Sequence, residues 1–546
     1  MAKISGAEIL AKSLRKQGVD TMFYIMGGPM LETETFCIKE GIRAIDVRHE
    51  QAAAMMAHAW ARVTNKIAVC MAASGPGVMN LVTGVANAWA DASPLLAIGG
   101  AAPMNVTGRG LFQECDQLSV FKPITKWADR CQSARHIPEL IATALRHART
   151  GRPGPVYVDM PGDVLSDEVE EESVVYRDDQ FSQDQARTSG APERISAAVQ
   201  ILASAKRPII MSGTGVLWSQ ASPELRQFVD MAGIPFYTTP QGRGVVPDDH
   251  PLSFLAARSQ AFKEADCIMI VGTRMNYVSG HLTAPRYSAD ARIIQVNVDP
   301  AEIGFTRPCD VGIVGDAKAV LAQFLNEGKG KLKASLYTDW VKKLRESDAA
   351  KSAAQEVRMS SDELPIHPLR LCKEVRDFLD RDAYLIVDGQ EILNYGRQSI
   401  PTFEPGHRLN SGTWGTMGVG LPFGVGVKLA HPDKQVLVLH GDGSFGLNAM
   451  EFDTAVRHKI NVVCVISLNG GWTADPQGTK PGRDLGYTRY DKMVEALGCH
   501  AEYVEDPSQI GPALKRAFAS GKPALVNVKT DHRARAVTVK YSKSLT

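Results

Sequence analysis

Short apolar runs rich in Val, Ile, Leu and Ala recur along the chain, separated by longer stretches with helical spacing. Residues 21–25, 67–72, 95–99 and 156–159 read as buried strands, and residues 50–62 and 134–150 read as helices between them. Continuous rather than alternating apolar runs mark strands covered on both faces, the pattern of a parallel sheet with helices on each side. Polar stretches at 166–172 and 177–190 end this first unit and read as a linker. A second unit follows, with strands at 208–212, 234–238, 267–271 and 292–298. A Lys-, Ser- and Ala-rich stretch at 328–363 reads as another linker. The third unit then has strands at 383–387, 435–439, 462–468 and 524–528. The fold class expected is α/β, with three doubly wound parallel-sheet domains at 1–165, 191–328 and 366–530 and a basic tail at 531–546. Whether the first and third units are related is left open by the alternation they share.

Composition narrows the function without naming it. A chain of 546 residues is too long for one core, so roughly two to four domains are expected. With 44% hydrophobic and 22% charged residues it is neither disordered, collagenous nor coiled coil. A formal net charge of +1 gives no global attraction to nucleic acid or to a membrane surface, and neither partner is expected. The apolar runs fall far short of a bilayer span. The opening residues, Met1 to Glu8, lack the apolar stretch of a secretory signal, and the nine cysteines form no CxxC pair. A reduced, cytoplasmic setting is the expectation.

The sharpest chemistry lies in the third unit. A buried strand at 435–439 runs into His440-Gly-Asp-Gly-Ser444, and a stretch at 449–458 has helical spacing. A second buried strand then ends at Asn469-Gly-Gly471. In a right-handed strand–helix–strand crossover both strands point the same way, so Asp442 and Asn469 emerge at one carboxyl edge, where ligands of open α/β sheets collect. An Asp442 carboxylate, an Asn469 amide oxygen and a Gly471 carbonyl suit Mg2+, which takes few protein oxygens and leaves room for phosphate. Gly441, Gly443 and Ser444 would offer backbone N–H groups to that phosphate, and a helix beginning after Ser444 would aim its positive end there. Gly-Asp-Gly alone reads more readily as a turn with a solvated Asp; strand placement, the spacing and the Asn-Gly-Gly terminus together reverse that preference.

These residues resemble the signature of thiamine-diphosphate enzymes of the acetolactate synthase, pyruvate decarboxylase and benzaldehyde lyase type. The resemblance covers nearly the whole chain and implies thiamine diphosphate and Mg2+ as cofactors. It makes the first unit pyrimidine-binding and the third diphosphate-binding. One departure is Leu468, where the family has a first Asn. In Val47-Arg-His-Glu-Gln-Ala-Ala-Ala54 the family's catalytic glutamate is Glu50, bonded to the aminopyrimidine so that the proton at C2 can leave. Ala- and Met-rich surroundings are expected to desolvate Glu50; without the family, a helix's first-turn acid reads more readily as a response to the dipole. Gly412-Thr-Trp-Gly-Thr-Met-Gly-Val-Gly-Leu-Pro422 is similar to the loop that bends the cofactor, placing Met417 beneath it and the Gly415 carbonyl on the aminopyrimidine. Because the family puts glutamate and diphosphate on different subunits, a homodimer is the minimum expected, with a homotetramer the fuller expectation.

Reaction class rests on weaker marks. Ala73-Ser-Gly-Pro-Gly77 matches the family's first-domain loop, and Gln241 to Pro247 and Val296 to Pro300 match its middle domain. The middle domain reads as Rossmann-like. Gly213-Thr-Gly215 could contact a nucleotide, though a GxG alone is a weak signal and a structural role is the default. Phe112-Gln113-Glu114 resembles the loop facing the reacting carbon in 2-hydroxyacyl-CoA lyases, which makes Gln113 a catalytic and Phe112 a substrate candidate; Gln113 is equally reminiscent of benzaldehyde lyase. Trp472 is a further substrate candidate. Pro29 stands beside Gly27-Gly28 where relatives use proton-shuttling histidines. Arg533 and Arg535 in the tail, with Lys540, Tyr541 and Lys543, are candidates for CoA phosphates, or simply solvated. The activity expected is cleavage of a 2-hydroxyacyl-CoA to formyl-CoA and an aldehyde or ketone. The alternatives are a carboligase or decarboxylase on free aldehydes or 2-keto acids, and an inactive cofactor-binding regulatory subunit.

Overall fold

In the computed structural model, which describes residues 2–178, 186–472, 479 and 481–536, three parallel sheets follow one another along the chain. The first runs edge to edge Arg43–Asp46, Thr21–Tyr24, Val69–Ala72, Leu96–Ala101, Val156–Pro161, Trp127–Arg130. The middle sheet runs Phe236–Thr238, Pro208–Ser212, Cys267–Val271, Arg292–Asn297, Val311–Val314. The third runs Arg408–Leu409, Tyr384–Asp388, Val436–Gly441, Val463–Leu468, Ala524–Lys529, His500–Val504. Numbered in chain order, the six strands of the first and third sheets share one order, 2-1-3-4-6-5. That shared topology supports the kinship the sequence left open.

Central strands are buried along their whole length, which is why their sequences are unbroken apolar runs. A separate antiparallel pair joins Lys3–Ser5 to Glu168–Glu170, so part of the first stretch read as a linker is a strand. Within the three parallel sheets, the strands that carried no such signal are Arg43–Asp46, Trp127–Arg130, Val311–Val314, Arg408–Leu409 and His500–Val504. Every one is a sheet edge. Edge strands meet a neighbour on one side only; four of these five carry polar residues that dilute the pattern, and Val311–Val314 is a four-residue run interrupted by glycine.

The stretch read as a second linker differs from expectation: residues Thr338–Met359 form a 22-residue helix. It docks through few positions, with Trp340, Leu344 and Met359 buried, and the Trp340 indole N–H donates to the Pro208 carbonyl at 3.2 Å. Polar residues elsewhere along the helix masked the helical period.

The first and third units share one apolar cluster. Its centre is the helix Glu50–Thr64, whose Ala52–Ala54 and Met55–Met56 are fully buried. Small residues allow close approach here. A methyl added to Gly84 would sit 2.5 Å from the Ala54 methyl, and one on Gly426 would sit 2.7 Å from the Met56 carbonyl oxygen. All nine cysteines are free. Among the described residues no helix is long and apolar enough to cross a membrane.

Trp340→Ala would leave a cavity and an unpaired carbonyl beneath the long helix, at a cost on the order of 3–5 kcal/mol. Limited proteolysis within residues 328–363 should accelerate and the first thermal transition should fall; unchanged cleavage and melting would contradict this docking.

Candidate active site

Parallel register places the third unit's chemistry. Gly441 pairs with Ser467 and His440 with Ile466, so the next residues of both strands leave the sheet side by side. The helix begins at Asp442 itself and runs to Asn448, earlier than the sequence suggested, with a second helix Glu451–Arg457 after a break. Asp442 is buried. One carboxylate oxygen accepts the Gly443 N–H at 3.0 Å and the other accepts the Gly470 N–H at 2.8 Å. The strand ends are thereby tied together, and each oxygen retains a lone pair for a cation. Burial pushes Asp442 up to about 6, against the pull of those N–H groups. Asn469 accepts the Gly471 N–H at 3.2 Å through its amide oxygen. The Ser444 hydroxyl donates to the Gly441 carbonyl at 3.0 Å and lies 3.2 Å from His440 Nδ1, and desolvation holds that imidazole neutral, down to about 3.

Met417, Gly441, Asp442, Gly443, Ser444, Asn469, Gly471 and Trp472 line one small cavity of about 20 Å³. The donor set fits the expected cation: a carboxylate, an amide and a backbone carbonyl, all hard oxygens on one wall. Trp472 lies flat on Gly443, where a methyl would stand 2.6 Å from the indole. The ring thus borders the space beside the Gly-Asp-Gly turn. Leu468, the departure from the family pattern, is wholly buried in the shared apolar cluster. Ala534 also lines the cavity and the Ala536 N–H donates to Glu391 at 2.7 Å, so the start of the tail runs along this site. Arg533 pairs with Asp531 at 3.0 Å. Arg535 is exposed, as Arg533 is. Lys540, Tyr541 and Lys543 lie outside the described residues.

The loop carrying Gly415 and Met417 is fixed at both ends. The Ser411 carbonyl accepts from Asn87 at 2.8 Å, and the Thr413 N–H donates to Asp91 at 3.4 Å. Farther on, the Gly420 N–H donates to Asp388 at 2.9 Å and the Gly418 carbonyl accepts from Asn448 at 2.8 Å. Burial pushes Asp91 up to about 6 and Asp388 up to about 7. Neither carboxylate stood out in the sequence. The one available signal was that Asp388 ends a buried strand at the carboxyl edge.

Glu50 opens its helix behind the N-cap His49, whose Nδ1 accepts the Gln51 N–H. The Glu50 carboxylate accepts from the Asn80 amide at 2.9 Å and faces Gly77, where a methyl would lie 3.3 Å away. Asn80 was missed because it lies in another helix. The expected desolvation of Glu50 differs from what is seen: it is half-buried, because the Ala and Met residues behind it pack helix against helix.

Gln113 adopts φ 59°, a left-handed conformation that costs a non-glycine residue on the order of 1–3 kcal/mol. Its surroundings hold it there. The Gln113 side-chain oxygen lies 3.2 Å from the Ser74 hydroxyl, and its backbone packs so closely on Gly75 that a methyl there would meet the Gln113 carbonyl oxygen at 2.6 Å. Gln117, buried beneath, accepts the Gly75 N–H at 2.9 Å and donates to Asp159 at 2.6 Å. Phe112 is 87% exposed. The Pro29 ring packs over Gly100 and Gly162, in the place read as belonging to a histidine pair.

In the middle unit, Thr214 and Gly215 line a cavity of about 390 Å³ together with Arg274, Asn297, Asp91 and Thr413. The Gly213-Thr-Gly215 turn therefore borders a space of ligand size, at the junction of all three units.

Open parallel sheets presenting polar groups at their carboxyl edges define an α/β cofactor enzyme. Family comparison agrees unit by unit. Residues 4–120 match the thiamine pyrophosphate enzyme N-terminal TPP binding domain, 195–324 the central domain and 393–528 the C-terminal TPP binding domain. The chain is similar to an acetolactate synthase large subunit of Mycobacterium tuberculosis, 36% identical over 96% of this chain and 95% of that protein. It is also similar to a 2-hydroxyacyl-CoA lyase of Arabidopsis thaliana (33% identical, 98% and 96% covered) and an oxalyl-CoA decarboxylase of Escherichia coli (32%, 97% and 95%). The chain belongs to the thiamine pyrophosphate enzyme family.

Gly443→Ala should force the Trp472 ring from its place, an overpacking worth on the order of 1–3 kcal/mol. Calorimetric titration with thiamine diphosphate and Mg2+ should show the Kd raised about tenfold or more; an unaltered Kd would contradict the geometry given for this wall.

Proposed function

We propose that the protein is a thiamine-diphosphate- and Mg2+-dependent carbon–carbon lyase that cleaves 2-hydroxyacyl-CoA to formyl-CoA and an aldehyde or ketone. In reverse it joins the two. The observation that carries this reading is the path of residues 531–536, which brings Ala534 onto the wall of the Asp442 cavity. Its chain neighbours Arg533 and Arg535 are exposed, and guanidinium groups on this short stretch suit the phosphates of a CoA entering past it. Relatives named 2-hydroxyacyl-CoA lyase and oxalyl-CoA decarboxylase, matched over nearly their full length, support the same substrate class.

Bound thiamine diphosphate would supply a carbanion and an electron sink. The chain's own residues do the rest. Asp442, Asn469 and the Gly471 carbonyl would hold Mg2+, and Gly441, Gly443 and Ser444 would face the diphosphate. Met417 would support the cofactor's rings and the Gly415 carbonyl would hold the aminopyrimidine. Glu50, oriented by Asn80, holds and moves the proton at that ring. Gln113, locked in its strained backbone, directs its amide at the substrate carbonyl, with Phe112 and Trp472 against the acyl portion. With Pro29 in place of a histidine, water carries the proton to and from product.

The working unit is a homodimer or a homotetramer. Large apolar side chains stand exposed next to site motifs of both outer units: Met26 at 61%, Phe112 at 87%, Trp414 at 50% and Leu447 at 51%. Such exposure beside a site fits a surface covered by a second copy. Nine free cysteines fit a reducing, cytoplasmic setting.

A panel of 2-hydroxyacyl-CoAs, benzoin and 2-keto acids assayed with thiamine diphosphate and Mg2+ tests the assignment. Formyl-CoA should appear from the acyl-CoAs, and Glu50→Gln should slow it about 100-fold or more, as loss of a general acid–base does. Product from 2-keto acids alone would instead favour an acetolactate-synthase-like reaction, the reading supported by the Mycobacterium relative. Full turnover by Glu50→Gln would overturn the role given to that residue.

A further inference from the structure

Glu451 belongs to the third unit, is 1% exposed, and has no part in the chemistry described so far. Its carboxylate reaches into the first unit. One oxygen accepts the backbone N–H groups of Arg48 and His49, each at 3.1 Å, and the other accepts the Thr454 hydroxyl at 2.6 Å and lies 3.3 Å from the Arg48 nitrogen. Arg48 and His49 immediately precede Glu50. We propose that Glu451 is a positioning residue for the Glu50 carboxylate, fixing from the neighbouring unit the turn from which the Glu50 helix departs. This rests on the reading of Glu50 as the residue that moves the aminopyrimidine proton.

The physical need is local. The Val47 N–H is satisfied by the Tyr24 carbonyl, and the Ala52 N–H by the His49 carbonyl. Between them, the Arg48 and His49 N–H groups point away from both strand and helix. A donor left unpaired in a covered position costs on the order of 1–3 kcal/mol, so without Glu451 the turn relaxes toward other partners. The same short helix, Glu451–Arg457, grips the turn at further points. Arg457 donates to the Asp46 carbonyl at 2.9 Å, and His458, just beyond the helix, lies 2.8 Å from the Asp46 carboxylate. Arg48 approaches Asp453 at 3.7 Å. Burial pushes Glu451 up to about 7, while the Thr454 hydroxyl and the two N–H groups favour its charged form. A carboxylate kept in such a place needs those donors, and they need it.

The arrangement distinguishes geometry from charge. Because both backbone N–H groups make their shorter contact with one oxygen, a glutamine can accept them through its amide oxygen and turn its NH2 toward the Thr454 oxygen, giving up only the 3.3 Å contact of Arg48. Misplacing a reacting group by about an ångström can slow proton transfer about 100-fold, with little effect on groups elsewhere.

The readout is hydrogen–deuterium exchange at C2 of thiamine diphosphate bound to the intact holoenzyme, followed by acid quench and NMR. Glu451→Ala should slow exchange about tenfold to 100-fold, with cofactor Kd changed less than about threefold, and Glu451→Gln should recover most of the rate. Arg457→Leu, at the more exposed end of the same grip, should fold normally and slow exchange in the same direction by a smaller factor. Wild-type exchange in both Glu451→Ala and Arg457→Leu would overturn the proposal. So would equal slowing in Glu451→Ala and Glu451→Gln, which would point to charge rather than position. Glu50→Gln run alongside separates the two readings: wild-type exchange in that variant would remove the role of Glu50 itself.

Discussion

The 2.8 Å hydrogen bond from the Gly470 N–H to the buried Asp442 carboxylate joins the ends of two adjacent parallel strands. Everything at the diphosphate edge depends on it. The strands deliver Asp442 and Asn469 to one side of the sheet by register alone, but register leaves the loops beyond the strands free. By taking the Gly470 N–H as well as that of its own neighbour Gly443, the carboxylate ties the loop after the second strand to the helix start after the first and keeps a lone pair on each oxygen for a cation. Glycine at 443 and 470 keeps those N–H groups accessible.

The same device recurs at other loops of the site, once within the third unit and twice between the first and third. Asp388 takes the Gly420 N–H, Asp91 takes that of Thr413, and Glu451 takes those of Arg48 and His49. Each carboxylate is buried, and burial raises its pKa. A buried carboxylate is expensive unless hydrogen-bonded, so each also demands the backbone arrangement that satisfies it. Behind these joints, the glycine- and alanine-lined contact of the Glu50–Thr64 helix with its neighbours sets how closely the first and third units approach. Precision at the site therefore derives from polar joints mounted on an apolar frame.

Much of this was legible in the sequence. The His440–Ser444 turn sits directly after an unbroken apolar strand, so its position needed only local pattern. Glu50 and Asn469 were likewise placed by strand and helix signals beside them, and the resemblance supplied their expected roles. What escaped has a common cause. Glu451, Asp91 and Asp388 act on backbone groups far away in the chain, and locally each is only an acid at a helix or strand end. The five edge strands meet a partner on one side only, so their apolar pattern is broken. The Thr338–Met359 helix docks through three side chains, too few to mark a face over 22 residues. Glu50 itself was expected to be desolvated by its alanines, whereas those alanines serve packing and leave it half-buried.

In the proposed homodimer, Glu50 of one chain serves the Asp442 edge of the other, which accords with a half-buried Glu50 and with exposed apolar side chains beside the motifs of both outer units. Mixing subunits tests this most directly. Glu50→Gln and Asp442→Ala homodimers, each inactive, would be unfolded together, refolded and assayed. Heterodimers then hold one site with both residues intact, and the account predicts that thiamine-dependent activity returns toward about a quarter of wild type, since half the dimers are mixed and half their sites are native. Activity that stays at the level of the separate variants, with mixed dimers confirmed by mass spectrometry, would contradict it.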